Sequence, residues 1–172
     1  SRKIATINFK DAYHLYPRKY VQAFSVFKEV RERWEYVHDP RFHEYYQKAS
    51  ITIDQVKDDG HYKGDCDDYS IFMAAMLKAI GCDVRLVTTQ SYNEDRQEMV
   101  GHIFPEVLVG PVEDFDKLDN LLRKHLFPKY LVYDKLSFVE EDGNIWLNFD
   151  YNDQYPGGKY QSPKRLQVIK VK

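Results

Sequence analysis

The sequence is poor in several things, and each shortage excludes a class of protein. Only two cysteines occur in 172 residues, too few for a disulfide framework. Eight Gly and seven Pro are too few for a collagen-like repeat or a low-complexity linker. No apolar run approaches the roughly 18 residues that cross a bilayer, so no membrane span is expected. An excess of either charge is missing as well. Lys plus Arg is 25 and Asp plus Glu is 27, a net charge of -2. Nothing global therefore draws the chain to nucleic acid. Familiar motifs are absent too. Gly158-Lys159 lacks the glycine and the Ser or Thr of a phosphate loop. No His-Glu-x-x-His occurs, and two distant cysteines cannot build a structural zinc site. Asp150-Tyr151-Asn152 opens like a calcium loop, but Tyr155 stands where its turn glycine belongs.

The residues that are present argue for one folded domain. The chain is 43% apolar and 15% aromatic, with 14 Tyr and 10 Phe, against disorder. Its length fits a single domain over 1–172. Cys66 and Cys82 flank one expected helix, which would hold them roughly 24 Å apart, too far to pair. Two free thiols suit a reducing compartment and slightly favour the cytoplasm. The chain opens on Ser1 with no leader-like pattern.

Periodicity gives the elements. Ala23, Phe24, Phe27, Val30, Trp34 and Val37 recur at three and four, which predicts a helix from Tyr20 to Val37, stopped by Asp39-Pro40. Arg41–Ala49 reads as a short second helix, and Ser50–Gly64 as an acidic loop or loose turn. Asp65 is a good N-cap for a helix to Ile80, with Phe72, Met73, Met76 and Leu77 facing a core and Gly81 as the stop. Strands are expected at Asp83–Thr89 and His102–Val109, joined by a polar loop Gln90–Val100. Val112–Leu126 reads as helix and Tyr130–Tyr133 as a strand. Lys135–Val139 and Asn144–Asp150 read as strands around a Glu141-Asp142-Gly143 turn, and Leu166–Val171 as the last strand. Helices first and strands later predict an α+β fold with an antiparallel sheet.

Chemistry centres on Cys66 in Gly64-Asp65-Cys66-Asp67-Asp68-Tyr69. The first turn of a helix offers unpaired N–H groups and a dipole that favour a thiolate and can hold an oxyanion. Alone, Cys66 reads as a small buried apolar residue. A thiol nucleophile needs a base, and His102 opens a strand that can lie against the Cys66 helix. The base needs an orienting carboxylate, and Asp150 ends the strand after Trp146-Leu147-Asn148-Phe149. Cys82 reads as structural, and His61 as a loop histidine rather than a site residue. The tyrosines at 151, 155 and 160 fit either an aromatic groove or ordinary packing.

These pieces resemble the transglutaminase-like superfamily of cysteine peptidases and acyltransferases. The resemblance rests on Gly64–Tyr69 with its helix, Gly101-His102-Ile103-Phe104-Pro105-Glu106-Val107, and Trp146–Asp150 with Tyr155-Pro156-Gly157 downstream. It implies a papain-like core with the Cys-bearing helix packed on the sheet. It implies Cys66 as nucleophile, His102 as base and acid, and Asp150 as orienter. The organisation is then an N-terminal helical region over 1–49, a core over 50–157 and a basic strand over 158–172. An insertion at 110–142 separates His102 from Asp150 by 48 residues and could serve as lid, substrate wall or partner surface.

The expected function is a cysteine-dependent amide hydrolase, peptidase or deamidase, or an acyltransferase, acting on a peptide or protein. The alternative is a non-catalytic binding or structural module that keeps the fold. No cofactor is required. Tyr62 and Gln55 are candidates for a second oxyanion donor. Six Asp crowd residues 54–68, and their charge opposes the helix dipole at Cys66. Asp65 either caps the helix or, with Asp67, holds calcium, as in some bacterial members of the superfamily. Residues 159–172 carry five cations and no acid.

Overall fold

The structure is a computed structural model that describes residues 2–39, 46–132, 134–162 and 164–172, and only the backbone of 57–59. Two short 3-10 turns, Ile4–Thr6 and Lys10–Ala12, lead into helix α1, Arg18–Glu32. Strand β1 is Trp34–Tyr36, helix α2 Ala49–Asp59, and strand β2 Tyr62–Gly64. Helix α3 is Cys66–Lys78. Strands β3, Val84–Asn93, and β4, Glu98–Pro111, form a long hairpin. Helix α4, Phe115–Leu121, runs on into a wider turn at Leu122–Leu126. Strands β5, Phe138–Glu141, β6, Asn144–Asn148, and β7, Arg165–Lys170, complete the chain. The fold is α+β. The main sheet has the order β5-β6-β4-β3-β7 and every neighbouring pair in it is antiparallel.

The core lies between α1, α3 and one face of this sheet. Helix α1 buries Val21, Ala23, Phe24, Val26, Phe27 and Val30, the stripe expected from its spacing. Helix α3 contributes Tyr69, Phe72, Met73, Met76 and Leu77, and the sheet returns Val84, Val107, Leu147 and Phe149. Phe149 stacks 6.0 Å from Phe24 and meets Phe27 edge-on at 5.5 Å. Burying rings of this size contributes about 1.5–3 kcal/mol each. The Asp142-Gly143 hairpin turn has φ of 52° and 71°, the left-handed pair that a two-residue turn demands.

Several elements differ from expectation. The first helix stops at Glu32, and Trp34–Tyr36 is a strand, parallel to β2. Aromatic Trp34 and Tyr36 suit a pleated surface, and pairing with β2 overrides a helical spacing that continues by coincidence. The polar loop expected at 90–100 is mostly strand, since β3 and β4 stay paired out to Asn93 and Glu98. Backbone pairing does not require apolar side chains on this protruding hairpin. The acidic stretch after Ser50 is helix α2 as far as Asp59, ended by Gly60 at φ 84°. The short helix expected at Arg41–Ala49 falls largely outside the described residues, and 46–48 are not helical. Tyr130–Val132 is not a strand, and Tyr133 lies outside the described residues. The segment 110–142, expected as an insertion, contributes side chains to the core. Its Leu118, Leu121, Leu122, Leu126 and Phe127 join the core, with Phe127 5.5 Å from Phe9 and 6.1 Å from Phe27.

Candidate functional site

Cys66 opens α3, where Asp65 is the N-cap and its Oδ1 accepts the Asp67 N–H at 3.3 Å. Asp67 Oδ1 in turn accepts the Asp68 N–H at 2.9 Å. Two first-turn amides are thus satisfied locally, leaving the Cys66 N–H without a described partner at the half-buried thiol. The approach to the helix is fixed by Gly64. Its φ is 154°, and a Cβ there would lie 2.5 Å from Asp68 Cβ, so only glycine fits. Asp68 Oδ1 accepts the Gln47 N–H at 2.7 Å, which ties the preceding segment to the same turn.

The Cys66 turn is joined to the strand that carries His102. The Ser70 hydroxyl contacts the carbonyls of Cys66 at 2.7 Å and Ile103 at 2.9 Å. His102 is 8% exposed and Asp150 3%. His102 Nε2 lies 2.6 Å from Asp150 Oδ2. The Asn152 amide donates to the same Oδ2 at 3.1 Å, and the Asp150 N–H donates to Asn148 Oδ1 at 3.0 Å. Cys66 and His102 line the same groove, and the thiol is close enough to act on the imidazole's proton affinity. With Nε2 facing Asp150, Nδ1 is the nitrogen left for sulfur. Burial alone would pull the His102 pKa down. The hydrogen bond and charge of Asp150, together with the nearby Cys66, outweigh it and raise the value from 6.5 to about 9.

Around these groups runs an open groove of about 470 Å³. Its lining includes Tyr36, Tyr46, Thr88, Thr89, Ile103 and Leu166. Tyr36 arrives through the β1–β2 ladder, which sets it opposite Gly64, two residues before Cys66. The Tyr151 ring lies 5.4 Å from the Tyr36 ring, tilted by 31°. The Tyr151 ring also meets His102 edge-on at 5.8 Å and Tyr69 at 5.4 Å. Burial first, then the nearby Cys66 and Asp65, raise the Tyr36 pKa, so it stays a neutral phenol.

The other expected residues are placed as follows. Tyr62 is 1% exposed, packs on Phe72 at 4.8 Å, and does not line the groove. Gln55 donates to Gln47 Oε1 at 3.2 Å and accepts the Lys63 N–H at 3.0 Å, an architectural role outside the groove. His61 is exposed and does not line it either. Of the three tyrosines, Tyr151 borders the site, while Tyr155 contacts Asp134 and Tyr160 contacts Glu106. Cys82 is 1% exposed, with burial pushing its pKa up to about 11. Sequence reasoning missed Tyr36, hidden inside an apparent helix, and Asn152, whose one signal was its position two residues after Asp150.

Oxygens of Asp65 and Asp67 and the Cys66 sulfur lie within 4.8 Å of one another. Asp67 is 7% exposed and its Oδ2 has no hydrogen-bond partner. Burial first, then the adjoining Asp65 carboxyl and its charge, raise the Asp67 pKa to about 8. The two carboxylates suit a hard cation, but the thiol does not. Calcium would need four or more further oxygens.

The family profile of the transglutaminase-like superfamily matches residues 14–151. No curated protein matches the chain.

Proposed function

The chain belongs to the transglutaminase-like superfamily, and from that premise we propose that it is a cysteine-dependent hydrolase or acyltransferase of peptide or protein amides. The observation that carries the proposal is the 2.6 Å contact of buried His102 with Asp150, in a groove that Cys66 also lines. His102 takes the thiol proton at Nδ1 while Asp150 holds the ring through Nε2. The Cys66 thiolate attacks the amide carbonyl carbon, and the carbonyl electrons move to oxygen. The Cys66 N–H and the Tyr36 hydroxyl stabilise that oxyanion. Tyr36 suits the role because it lines the groove beside Cys66 and, with its pKa raised by burial, keeps its proton to donate. On collapse of the intermediate, His102 protonates the leaving amine, leaving a thioester on Cys66. Water attacks this ester with His102 as base, giving hydrolysis. An amine attacking in its place gives transfer.

The test is thiol reactivity together with substrate profiling. Cys66 is expected to alkylate with iodoacetamide at pH 6 far faster than a free thiol, and His102→Ala to remove that advantage. Peptide profiling of wild type against Cys66→Ala is expected to reveal acyl chemistry only in the former. Slow, equal alkylation and no turnover would favour a binding module that retains the fold. For the acidic cluster, the Asp65 cap is the preferred reading. A calcium ion on Asp65 and Asp67 is the second, favoured by the unpartnered Asp67 Oδ2. Unchanged melting and alkylation at millimolar calcium would exclude the ion.

A further inference from the structure

Strand β7 closes one side of the main sheet, and among the described residues no strand pairs with its outer edge. Leu166, Val168 and Ile169 are 54%, 43% and 42% exposed on it. An exposed edge with apolar side chains is a template for another strand. The register with β3 shifts between Thr88 and Thr89, where Leu166 is passed over. Such a bulge re-aims a side chain, and Leu166 lines the groove that holds Cys66. The edge and the groove are therefore continuous. The charge of this edge is one-sided. Lys164, Lys170 and Lys172 are exposed, and no acid occurs in 159–172.

We propose that β7 is a docking edge for the substrate, an extended acidic segment that adds as a sixth strand and leads its scissile amide past Leu166 to Cys66. This rests on the amide-acyl chemistry proposed above and names its substrate class. Main-chain hydrogen bonds along β7 give affinity without regard to sequence, and side chains of the added strand give selectivity. Six residues of β7 offer about 20 Å of edge. The lysines argue against a second copy of this chain as occupant, because pairing two such edges brings like charges together. The same lysines attract an acidic strand.

The experiment uses Cys66→Ala protein and two fluorescein-labelled ten-residue peptides, one alternating Glu and Val, the other Lys and Val. The Glu–Val peptide is expected to bind at least about tenfold more tightly at low salt, and to weaken as salt rises. Hydrogen exchange of the amides of 166–170 is expected to slow in the complex. In the triple variant Lys164→Glu, Lys170→Glu, Lys172→Glu the preference is expected to invert. Equal binding of the two peptides, protection elsewhere, or an unchanged preference in the triple variant overturns the proposal. So does a concentration-dependent dimer with the β7 amides already protected. Because binding is read on the Cys66→Ala protein, a wild type without acyl chemistry overturns the enzymatic reading and leaves the docking result standing.

Discussion

Two buried ion pairs share strand β4 and have opposite characters. Residues 102 and 106 alternate onto one face of β4, and β6 with the residues after it supplies Asn148 opposite Glu106 and Asp150 beside His102. Glu106 is fully buried. It accepts from Arg85 Nε and from the Tyr160 hydroxyl, each at 2.8 Å, and it also pairs with Arg165. Arg85 lies 4.1 Å over the Trp146 ring, pairs with Glu141, and leaves Nη2 without a hydrogen-bond partner. This cluster is sealed by Tyr160 and Trp146. The His102–Asp150 pair opens onto a thiol and a groove. The contrast shows two uses of a buried charge. In the closed cluster the Glu106 carboxylate is a fixed counter-charge, surrounded by permanent cations that have no proton to trade. The chemistry proposed for the open pair has the histidine exchange its proton with the Cys66 thiol.

The largest expected effect on the contrast comes from breaking the open pair. Cys66→Ala should lower acyl turnover by at least about a thousandfold with melting temperature little changed, and His102→Ala should lower it as much while also lowering the melting temperature, because it leaves buried Asp150 unpaired, as measured by single-turnover kinetics and calorimetry. Breaking the closed cluster should do the reverse. Glu106→Gln removes the charge facing two arginines and should cost about 3–5 kcal/mol of stability, read by urea unfolding. Cys66 alkylation in the fraction that remains folded should be unchanged.

A smaller effect sharpens the role of Asp150. Asp150→Asn should lower kcat by about a hundredfold or more. It should also move the alkaline limb of the rate profile below pH 9, because the carboxylate that raises the His102 pKa is gone. Linkage gives the same sign for stability. The His102 pKa is raised in the fold, so its stabilisation is complete below about pH 6.5 and is lost as pH rises through about 9. Unfolding of wild type across that window should show the loss, and His102→Ala should not. Tyr36→Phe should lower kcat by about tenfold to a hundredfold with KM nearly unchanged, if its hydroxyl serves only the oxyanion. An equal fall in alkylation by iodoacetamide, which forms no such oxyanion, would assign Tyr36 to positioning instead.

The smallest effect concerns the acidic turn. Asp67 titrates near 8 in the fold against about 4 unfolded. It therefore favours folding below about pH 4, and that contribution disappears as pH rises through 8. Asp67→Asn should gain stability relative to wild type at pH 8 and little at pH 4, as seen in thermal melts. A calcium ion would erase the difference by favouring the carboxylate.

Elements with local signals were legible in the residues alone. Asp65 accepts the Asp67 N–H, as a short acceptor at a helix start must, and Asp142-Gly143 makes the turn its left-handed angles require. The stripe on α1 and the core face of α3 followed from helical period, and the order of Cys66, His102 and Asp150 was visible in the motifs around them. The remainder was settled in three dimensions, because long-range pairing outranked local pattern. Trp34 and Tyr36 fit the period of the helix before them, yet β2 draws them into a ladder, and that exchange brings Tyr36 to the groove. Tyr62 and Gln55 precede Cys66 in the chain, but apolar contact with Phe72 and a bond to the Lys63 N–H hold them away from the groove. The chain between Gly110 and Asp142 looked separable because it adds length between two site residues. Its leucines and Phe127 belong to the core, since apolar surface of that size is buried wherever α1 and the sheet leave room for it.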